Sequence, residues 1–450
     1  MYLLYSLLLT LGFVLLLPRF LIDAFRHGKY VTGLSQRLGN LPQIGSDDQL
    51  TIWLHCVSVG EARAAQSLVR GLRSRFPDSR LVVSTTTVTG QQIANEIFAG
   101  EAAAIFYFPI DWAWTVRRAL RAIQPSVVLI METELWPRLF RECRRKQVPV
   151  ALVNGRISDK SFNRYKLIRS FVRRVLDDLT LAVMQSAADA TRIRELGVSE
   201  DRLKISGNLK FDSAHVAVDQ AMAAKLRERF NFGAGRPLIV AASTHPPEEE
   251  IVLRAFKTVR TTFPDTRLLI APRHPERFRD VAAMLAASDL TWVKRSDALS
   301  GEDAKSQVVL LDTIGELGAV HSSAQIVFVG GSITPHGGHN VLEPAAQGIC
   351  TITGPHTQNF AGIVNAMLEE EALIQLTESS DFAAELASTI ARLLSDETMR
   401  REIGTRARSV CRRHQGATQK TLDIISPLIE MPPNYGEAVP LSTLRATTVK

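Results

Sequence analysis

Cysteine is scarce in this chain of 450 residues, which contains four: Cys56, Cys143, Cys350 and Cys411. They lie far apart and form no CxxC pair, which excludes a disulfide framework and a cysteine zinc site. Reduced thiols of this kind are typical of a cytoplasmic compartment. The sequence also lacks a Walker loop and a GxGxxG fingerprint, so an ATPase or a dehydrogenase function is disfavoured.

Charge is absent from the start of the chain, where residues 1–17 read MYLLYSLLLTLGFVLLL. A secretory signal would have a basic start and a small-residue cleavage site, and neither is present. The run is at the short limit for a spanning helix, which needs about 20 residues. The flank behind it is basic and favours a cytoplasmic body: Arg19, Arg26, His27 and Lys29 stand against Asp23. We predict a membrane anchor and basic flank over residues 1–28, spanning or half-inserted, with a buried core helix as the alternative.

The rest of the composition describes a folded, basic protein. A hydrophobic content of 46% excludes a largely disordered chain. The length exceeds one typical core, so two domains with tails are expected. A net charge of +7 indicates an acidic partner such as anionic lipid, nucleic acid or a phosphorylated substrate.

Short β-rich runs alternate with helical stretches, and this pattern predicts an α/β protein with two doubly wound, Rossmann-like units. The predicted division is a first domain over 29–207, a linker over 208–235, a second domain over 236–430 and a disordered tail over 431–450. The runs are IWLHCV, LVVSTT, IFYFP, VVLIM, VALVN and LAVMQS, then LIVAAS, RLLIAP, TWVKR, VVLLD, QIVFVGG and ICTIT.

Ligands of such sheets bind beyond the carboxyl ends of the strands, so the residues that follow each strand are candidates for a site. In HCVSVGEARAAQSL, Glu61 stands where a strand passes into a helix, and helix capping is the simpler interpretation. In METELWP, Glu132 and Glu134 follow a buried strand directly, which suggests acid–base or charge-stabilising chemistry, again with capping as the alternative. In SGNLKFD, Lys210 lies at the predicted junction of the domains, although most lysines simply face solvent.

The second half contains the strongest motif, VGGSITPHGGHNVLEPAAQG at 329–348. Its two glycine pairs let backbone approach a ligand, a helix is predicted to start near Asn340, and the Glu343 carboxylate could accept both hydroxyls of a ribose. A flexible surface loop before a capped helix is the alternative. In APRHPER, Arg273 and His274 could bind a phosphate or lie in a solvated turn. In DTIGELGAV, backbone at Gly315 to Leu317 could meet a nucleobase, or the turn could simply cap a helix.

Five motifs in order, VSVGE, ETELWP, SGNLKFD, PRHPER and GGHNVLEP, resemble those of the bacterial 3-deoxy-D-manno-octulosonic acid (Kdo) transferases of lipopolysaccharide assembly. The resemblance covers about residues 30 to 425. It implies a GT-B glycosyltransferase with a cleft between two Rossmann-like domains, the first binding the acceptor and the second the donor. It also implies CMP-Kdo as donor, a tetraacylated, bis-phosphorylated lipid A precursor (lipid IVA) as acceptor, and the inner membrane as location, with the catalytic body on its cytoplasmic face. No cofactor, metal or nucleic acid is expected.

The resemblance also assigns roles to residues. Glu61 matches the general base, and Glu132 and Lys210 match groups that stabilise the transition state. Because Glu61 starts a helix, the helix dipole should lower its pKa, whereas desolvation by substrate would raise it. The segments implied to contact CMP are Pro272 and Arg273, then Gly315, Glu316 and Leu317, then Asn340, Val341, Leu342 and Glu343.

Two other functions remain compatible with these residues. Another GT-B enzyme could use a UDP-sugar on a lipid-linked acceptor, because it would share the fold and the ribose-binding carboxylate. A membrane-anchored, non-catalytic nucleotide-binding protein is the second alternative.

Overall fold

The structure is a computed structural model that describes residues 1–27 (backbone only for 19–27), 32–45, 49–213, 219–233 and 235–430. The disordered tail predicted for 431–450 lies outside the described residues. The chain forms two compact units, one comprising Met1–Ser213 with the chain from Gln415, and one comprising Ala214–His414. The sequence placed 208–213 in a linker and the last helix in the second domain, whereas the structure groups both with the first unit.

The first unit contains a seven-stranded parallel sheet with strand order β3-β2-β1-β4-β5-β6-β7. Its core strands are apolar along their whole length because helices cover both faces, and all six residues of the first strand are buried. The sequence missed the seventh strand, two of whose three residues are exposed. The strands are β1 (Thr51–Cys56), β2 (Arg80–Thr85), β3 (Ala104–Tyr107), β4 (Val127–Met131), β5 (Val150–Gly155), β6 (Leu181–Met184) and β7 (Leu203–Ile205).

The helices of this unit connect successive strands, and the last one returns from the far end of the chain. They are α1 (Tyr2–His27), α2 (Leu34–Arg37), α3 (Val59–Ala64), α4 (Gln66–Arg75), α5 (Val88–Ile97), α6 (Ala113–Ile123), α7 (Pro137–Arg145), α8 (Asp159–Leu167), α9 (Arg169–Leu176), α10 (Ala187–Leu196), α11 (Lys210–Ser213) and, numbered last in the chain, α20 (Ala417–Glu430).

The second unit repeats the architecture, with seven parallel strands in the order β10-β11-β9-β8-β12-β13-β14. The strands are β8 (Leu238–Thr244), β9 (Arg267–Pro272), β10 (Trp292–Lys294), β11 (Val308–Leu310), β12 (Ile326–Val329), β13 (Cys350–Thr353) and β14 (Ile374–Gln375), the last of which the sequence missed. The helices are α12 (Gln220–Phe230), α13 (Glu248–Thr262), α14 (Phe278–Ala286), α15 (Leu317–His321), α16 (Leu342–Ala346), α17 (Ala361–Glu369), α18 (Phe382–Ser395) and α19 (Glu397–Arg413).

Each sheet has a point where its strand order reverses. In the first unit the chain moves from β1 to β2 on one side and later to β4 on the other; in the second, β8 has β9 and β12 as its two neighbours. A ligand crevice is expected beyond the carboxyl ends of the strands at such a point. The residues after β1 and β4, and after β8, β9 and β12, are therefore the ones to examine.

Helix α1 docks on the first unit through polar groups. Tyr2 donates a hydrogen bond to the Asp178 carboxylate, and the Tyr5 hydroxyl donates to Asp111 at 3.0 Å. The Arg138 guanidinium donates to the Ser6 hydroxyl at 2.7 Å. The opposite face carries exposed apolar side chains: Leu3, Leu4, Leu7, Leu8, Leu11, Val14 and Leu15.

Among the residues that the structure describes, none of the helices combines the length and the apolar character needed to cross a membrane. The spanning form of the anchor predicted for residues 1–28 is therefore not supported. The sequence showed an unbroken uncharged run, but the hydroxyls of Tyr2, Tyr5 and Ser6 are used to bind the helix to the protein.

Candidate active site

The turn after β1 is built by a reciprocal pair of side chains. Ser58 is the N-cap of α3, and its hydroxyl oxygen accepts a hydrogen bond from the backbone N–H of Glu61 at 3.4 Å. The Glu61 carboxylate in turn accepts from the backbone N–H of Val57 at 2.8 Å and from the Ser58 hydroxyl at 3.1 Å. This arrangement is close to a capping box, so Glu61 does help to cap α3.

Capping does not account for the electrostatics of Glu61, whose side chain is buried with 6% of its surface exposed. Burial raises the pKa of the Glu61 carboxyl to about 8, with the nearby charge of Glu132 as the next cause. The hydrogen bonds from Val57 and Ser58 act in the opposite direction and are outweighed. Desolvation by the protein itself thus decides the balance that the sequence left open, and it gives a carboxyl whose pKa suits a general base near neutral pH.

Glu132 lies in the first turn beyond β4 with a backbone φ of 53°. This left-handed conformation costs a non-glycine residue on the order of 1–3 kcal/mol. The Glu132 carboxylate lies 3.7 Å from the Lys210 ammonium and 3.9 Å from the Arg156 guanidinium. Next to it, burial and then the charge of Glu132 raise the pKa of Glu134.

Lys210 begins α11 and is placed by its neighbours within the first unit. Its backbone N–H donates to the Asn208 side chain at 3.0 Å, and the N–H of Leu209 donates to the buried Asn154 side chain at 3.0 Å. The structure therefore brings the predicted catalytic residues Glu61, Glu132 and Lys210 together. They form one cluster of acidic and basic side chains at the carboxyl ends of β1, β4 and β5.

Replacing Glu61 by Gln should change how stability depends on pH. The pKa of about 8 in the folded protein lies above the usual 4.5, so Glu61 favours folding below pH 4.5 and this contribution is lost as the pH rises through 8. Glutamine never ionises, so the variant should gain thermal stability relative to the wild type between pH 5 and pH 9. Melting temperatures measured across this range test the point; a constant difference between the two proteins would contradict the raised pKa.

The segments predicted to contact CMP follow three parallel strands of the second sheet, β9, β11 and β12. Pro272 ends β9, Gly315–Leu317 follow β11, and Asn340–Glu343 follow β12. The carboxyl ends of these strands share one edge, so all three segments lie at the edge where a ligand is expected. A hydrogen bond of 3.0 Å from the Gln347 side chain to the Gly318 carbonyl joins the helices that follow two of them.

The Glu316 side chain is engaged within the protein. Its two carboxylate oxygens each lie 2.9 Å from a nitrogen of the Arg295 guanidinium, and the Thr313 hydroxyl donates to it at 2.6 Å. The neighbouring Gly315 has φ 89°, and a Cβ built there would meet no atom within 4 Å. Open backbone, rather than the Glu316 carboxylate, is what this turn offers a ligand.

Asn340 and Glu343 form a local pair at the start of α16. The Asn340 amide donates to the Glu343 carboxylate at 3.0 Å, while its oxygen accepts from the Leu342 N–H at 3.1 Å. The helix begins at Leu342, so Glu343 is its second residue, two residues closer to the start than predicted. The Glu343 side chain is half-buried.

The sequence analysis missed Glu248, which shapes the glycine-rich loop after β12. This fully buried carboxylate accepts hydrogen bonds from the backbone N–H groups of Gly331, Ser332 and Ile333 at 2.7 to 2.9 Å. The available clue was an acidic run, PPEEE, directly after β8. These three hydrogen bonds fix the start of the glycine-rich loop that leads to Asn340 and Glu343.

Within the described ranges, no three His, Cys, Asp or Glu side chains come together in a way that could hold a metal ion. The absence of a metal from the reaction stays a prediction.

Comparison with known proteins identifies the family. The sequence profile described as 3-Deoxy-D-manno-octulosonic-acid transferase (kdotransferase) matches residues 32–213. A 3-deoxy-D-manno-octulosonic acid transferase of Haemophilus influenzae is 32% identical over 404 residues, which cover 89% of this chain and 92% of that protein. A protein of the same name from Bordetella pertussis is 33% identical over 386 residues, with 83% and 86% covered.

The fold also has solved counterparts. A glycosyltransferase of Rickettsia africae superposes with a TM-score of 0.56 over 85% of this chain and 99% of that one, at 13% sequence identity, which shows a shared fold. The predicted GT-B-like architecture of two parallel α/β sheets is thereby confirmed. With a homologue that matches it almost from end to end, the chain belongs to the family of 3-deoxy-D-manno-octulosonic acid transferases and is a Kdo glycosyltransferase.

Proposed function

We propose that this enzyme transfers Kdo from CMP-Kdo to a lipid A precursor, lipid IVA, in lipopolysaccharide assembly, with inversion and without a metal. The observation that carries the mechanism is the buried Glu61 carboxyl beside Glu132. Its pKa, raised to about 8, lies close to physiological pH, where a carboxylate acts most effectively as a general base. Such a group is what activation of a sugar hydroxyl requires.

In the proposed step, Glu61 removes the proton of the acceptor hydroxyl as that oxygen bonds to the anomeric carbon of Kdo. The bond between this carbon and the phosphate oxygen breaks, and CMP leaves with the electron pair. A single displacement of this kind inverts the anomeric carbon. The Lys210 ammonium and Glu132 carboxylate, 3.7 Å apart, are suited to stabilise opposite charges that develop as the bonds change.

The donor nucleotide is assigned to the second unit. Arg273 is exposed directly after β9 and supplies positive charge for the phosphate. The backbone at Gly315–Leu317 is available for the base, and the Asn340–Glu343 pair is suited to the ribose hydroxyls. CMP-Kdo is then a co-substrate, and no cofactor is required.

The function is tested by following both products of one incubation. CMP should be released from CMP-Kdo only when the lipid acceptor is present, and Kdo should appear on that lipid. CMP, but not UDP, should protect the enzyme against thermal unfolding and inhibit Kdo transfer. Protection by UDP would favour a UDP-sugar transferase, and nucleotide binding without any acceptor-dependent release would favour a non-catalytic binding protein.

Replacing Glu343 by Ala should weaken CMP binding. Loss of hydrogen bonds to a charged acceptor costs about 1.5–3 kcal/mol, which is roughly 10- to 150-fold in affinity. Calorimetric titration with CMP measures this directly, and the exposed Glu378, replaced by Ala in the same unit, is the matched control. An unchanged affinity in the Glu343 variant would place the ribose elsewhere.

For localisation, we propose that the enzyme works at the cytoplasmic face of the inner membrane, with the exposed leucine face of α1 against the lipid. Two observations support this: Leu3, Leu7 and Leu15 are each at least 65% exposed, and the sequence that follows is basic. The acceptor is itself a lipid, so contact with the bilayer would bring enzyme and substrate together. Nucleic acid is not part of this proposal.

A further inference from the structure

Four histidines gather at the carboxyl ends of three strands in the second unit. His245 follows β8, His274 follows β9, and His336 and His339 belong to the loop after β12. His245 is the centre of the group, with its ring 4.3 Å from that of His336, 5.0 Å from that of His339 and 5.2 Å from that of His274. Motifs far apart in the sequence thus form one imidazole cluster.

The contact between His245 and His339 limits the charge that the cluster can carry. Their Nε2 atoms lie 2.8 Å apart, so one must donate its N–H to the bare nitrogen of the other. The pair can accept one further proton, on the Nδ1 of the donating ring, and keep this bond. A second added proton would place two N–H groups face to face and break the contact.

The surroundings of His245 and His339 disfavour a positive charge on these two rings. Burial lowers the pKa of His245 to about 4 and that of His339 to about 3, and the charges of Arg273, His274 and His336 act in the same direction. Arg277 adds to the effect at His245.

The carboxylates nearby are committed elsewhere. Glu248 accepts the backbone N–H groups of the glycine-rich loop and of His245 itself. Glu249 accepts from the Thr244 hydroxyl at 3.2 Å and lies 3.8 Å from Arg277. Both carboxylates are thus engaged by groups other than the imidazoles of the cluster.

We infer that the histidine cluster, with Arg273 beside it, is a proton-coupled anion site that takes up a proton from solvent as it binds the phosphate of the donor nucleotide. The inference rests on the proposed function, because it takes the phosphate to be that of CMP-Kdo. The site is matched to the reaction: the phosphate is a diester with one negative charge in the donor and gains a second when the bond to Kdo breaks. A proton already held on the His245–His339 pair neutralises this charge on the leaving group.

Proton coupling has a measurable sign. An anion within about 4–6 Å raises the pKa of an imidazole by about 1–3, so the uptake should grow as the pH falls from 8 to 6. Affinity should then be higher at pH 6 than at pH 8, by up to about tenfold. The His245–His339 pair can take up at most one proton while the contact between its Nε2 atoms persists.

The experiment is calorimetric titration of the full chain in buffers of different ionisation enthalpy. The probe is the methyl ester of CMP, a phosphodiester whose own charge is constant over this pH range, and cytidine is the ligand without phosphate. The ester should bind with proton uptake that increases towards pH 6, and cytidine should bind with none. His245→Gln should remove most of the uptake, whereas His414→Gln, at an exposed histidine of the same unit, should preserve it. If His245→Gln fails to fold, His339→Gln removes the other ring of the contact.

Two results would overturn the inference and are distinguishable. Binding of the ester without proton uptake, or with the same uptake in the His245 variant, refutes proton coupling and leaves CMP as the donor nucleotide. Failure of the wild-type protein to bind both the ester and CMP refutes the inference together with the proposed donor.

Discussion

Glu61→Gln is expected to reduce Kdo transfer by roughly 10²- to 10⁴-fold, the usual contribution of a general base. Glutamine is similar in size and can still accept the hydrogen bond from the Val57 N–H, which the Glu61 carboxylate now accepts at 2.8 Å. It cannot take the proton of the acceptor hydroxyl. CMP affinity should stay near that of the wild type, because the predicted nucleotide-binding residues belong to the other unit.

Three measurements on one purified variant distinguish catalysis from capping: transfer rate, CMP affinity and melting temperature. An N-terminal acidic residue contributes about 0.3–1 kcal/mol through the helix dipole, so a residue that only caps would alter stability slightly and leave transfer nearly normal. Glu96→Gln, at an exposed position on α5, is the control and should leave all three quantities unchanged. Transfer by Glu61→Gln within a few-fold of the wild-type rate would eliminate Glu61 as the base.

Lys210→Met is the second large effect that we expect, with a loss of turnover of roughly 10²–10³-fold, as for removal of one preorganised electrostatic contact. Methionine keeps the aliphatic part of the side chain and removes the charge 3.7 Å from Glu132. The Arg156 guanidinium, 3.9 Å from the Glu132 carboxylate, stays beside it in the variant and limits the loss of stability. A catalytic role therefore predicts a large kinetic effect in a protein that melts almost normally.

Lys204→Met, at an exposed lysine on β7, is the matched control and should retain full activity. The role of Glu132, the ion-pair partner of Lys210, is tested by the pH dependence of the transfer rate. Because the charge of Glu132 helps to raise the pKa of Glu61, Glu132→Gln should shift the acidic limb of the rate profile to lower pH while it reduces the maximum. Near-normal turnover in Lys210→Met, or an acidic limb that stays in place in Glu132→Gln, would show that the cluster does not act as proposed.

Much of the fold follows from local chemistry. Near-continuous apolar runs such as VVLIM predict buried parallel strands, because such strands have helices on both faces. The strands that escaped prediction, β7 and β14, have three and two residues and are partly exposed, so they lack that pattern. Glu61 and Glu132 were found because each follows a predicted strand, and Lys210 because its motif lies at the predicted junction of the domains; all three lie in motifs of the family.

Other features depend on contacts between distant parts of the chain. The last helix, α20, joins the first unit because its apolar face packs with α4 and its neighbours, where Leu422 and Ile425 are buried; an amphipathic pattern alone does not say which sheet a helix will cover. The uncharged run at the N-terminus predicted an anchor, yet three of its hydroxyls bind buried charged groups of the body.

The sequence by itself determined the two-sheet architecture, the family and the candidate residues Glu61, Glu132 and Lys210, because strand patterns and motifs are local. The tertiary structure alone decided the state of those residues. It buries Glu61 beside Glu132, which raises the pKa that the helix dipole was expected to lower, and it brings His245 within hydrogen-bonding distance of His339. Desolvation and the distance between charges set proton affinity, and both exist only once the chain has folded.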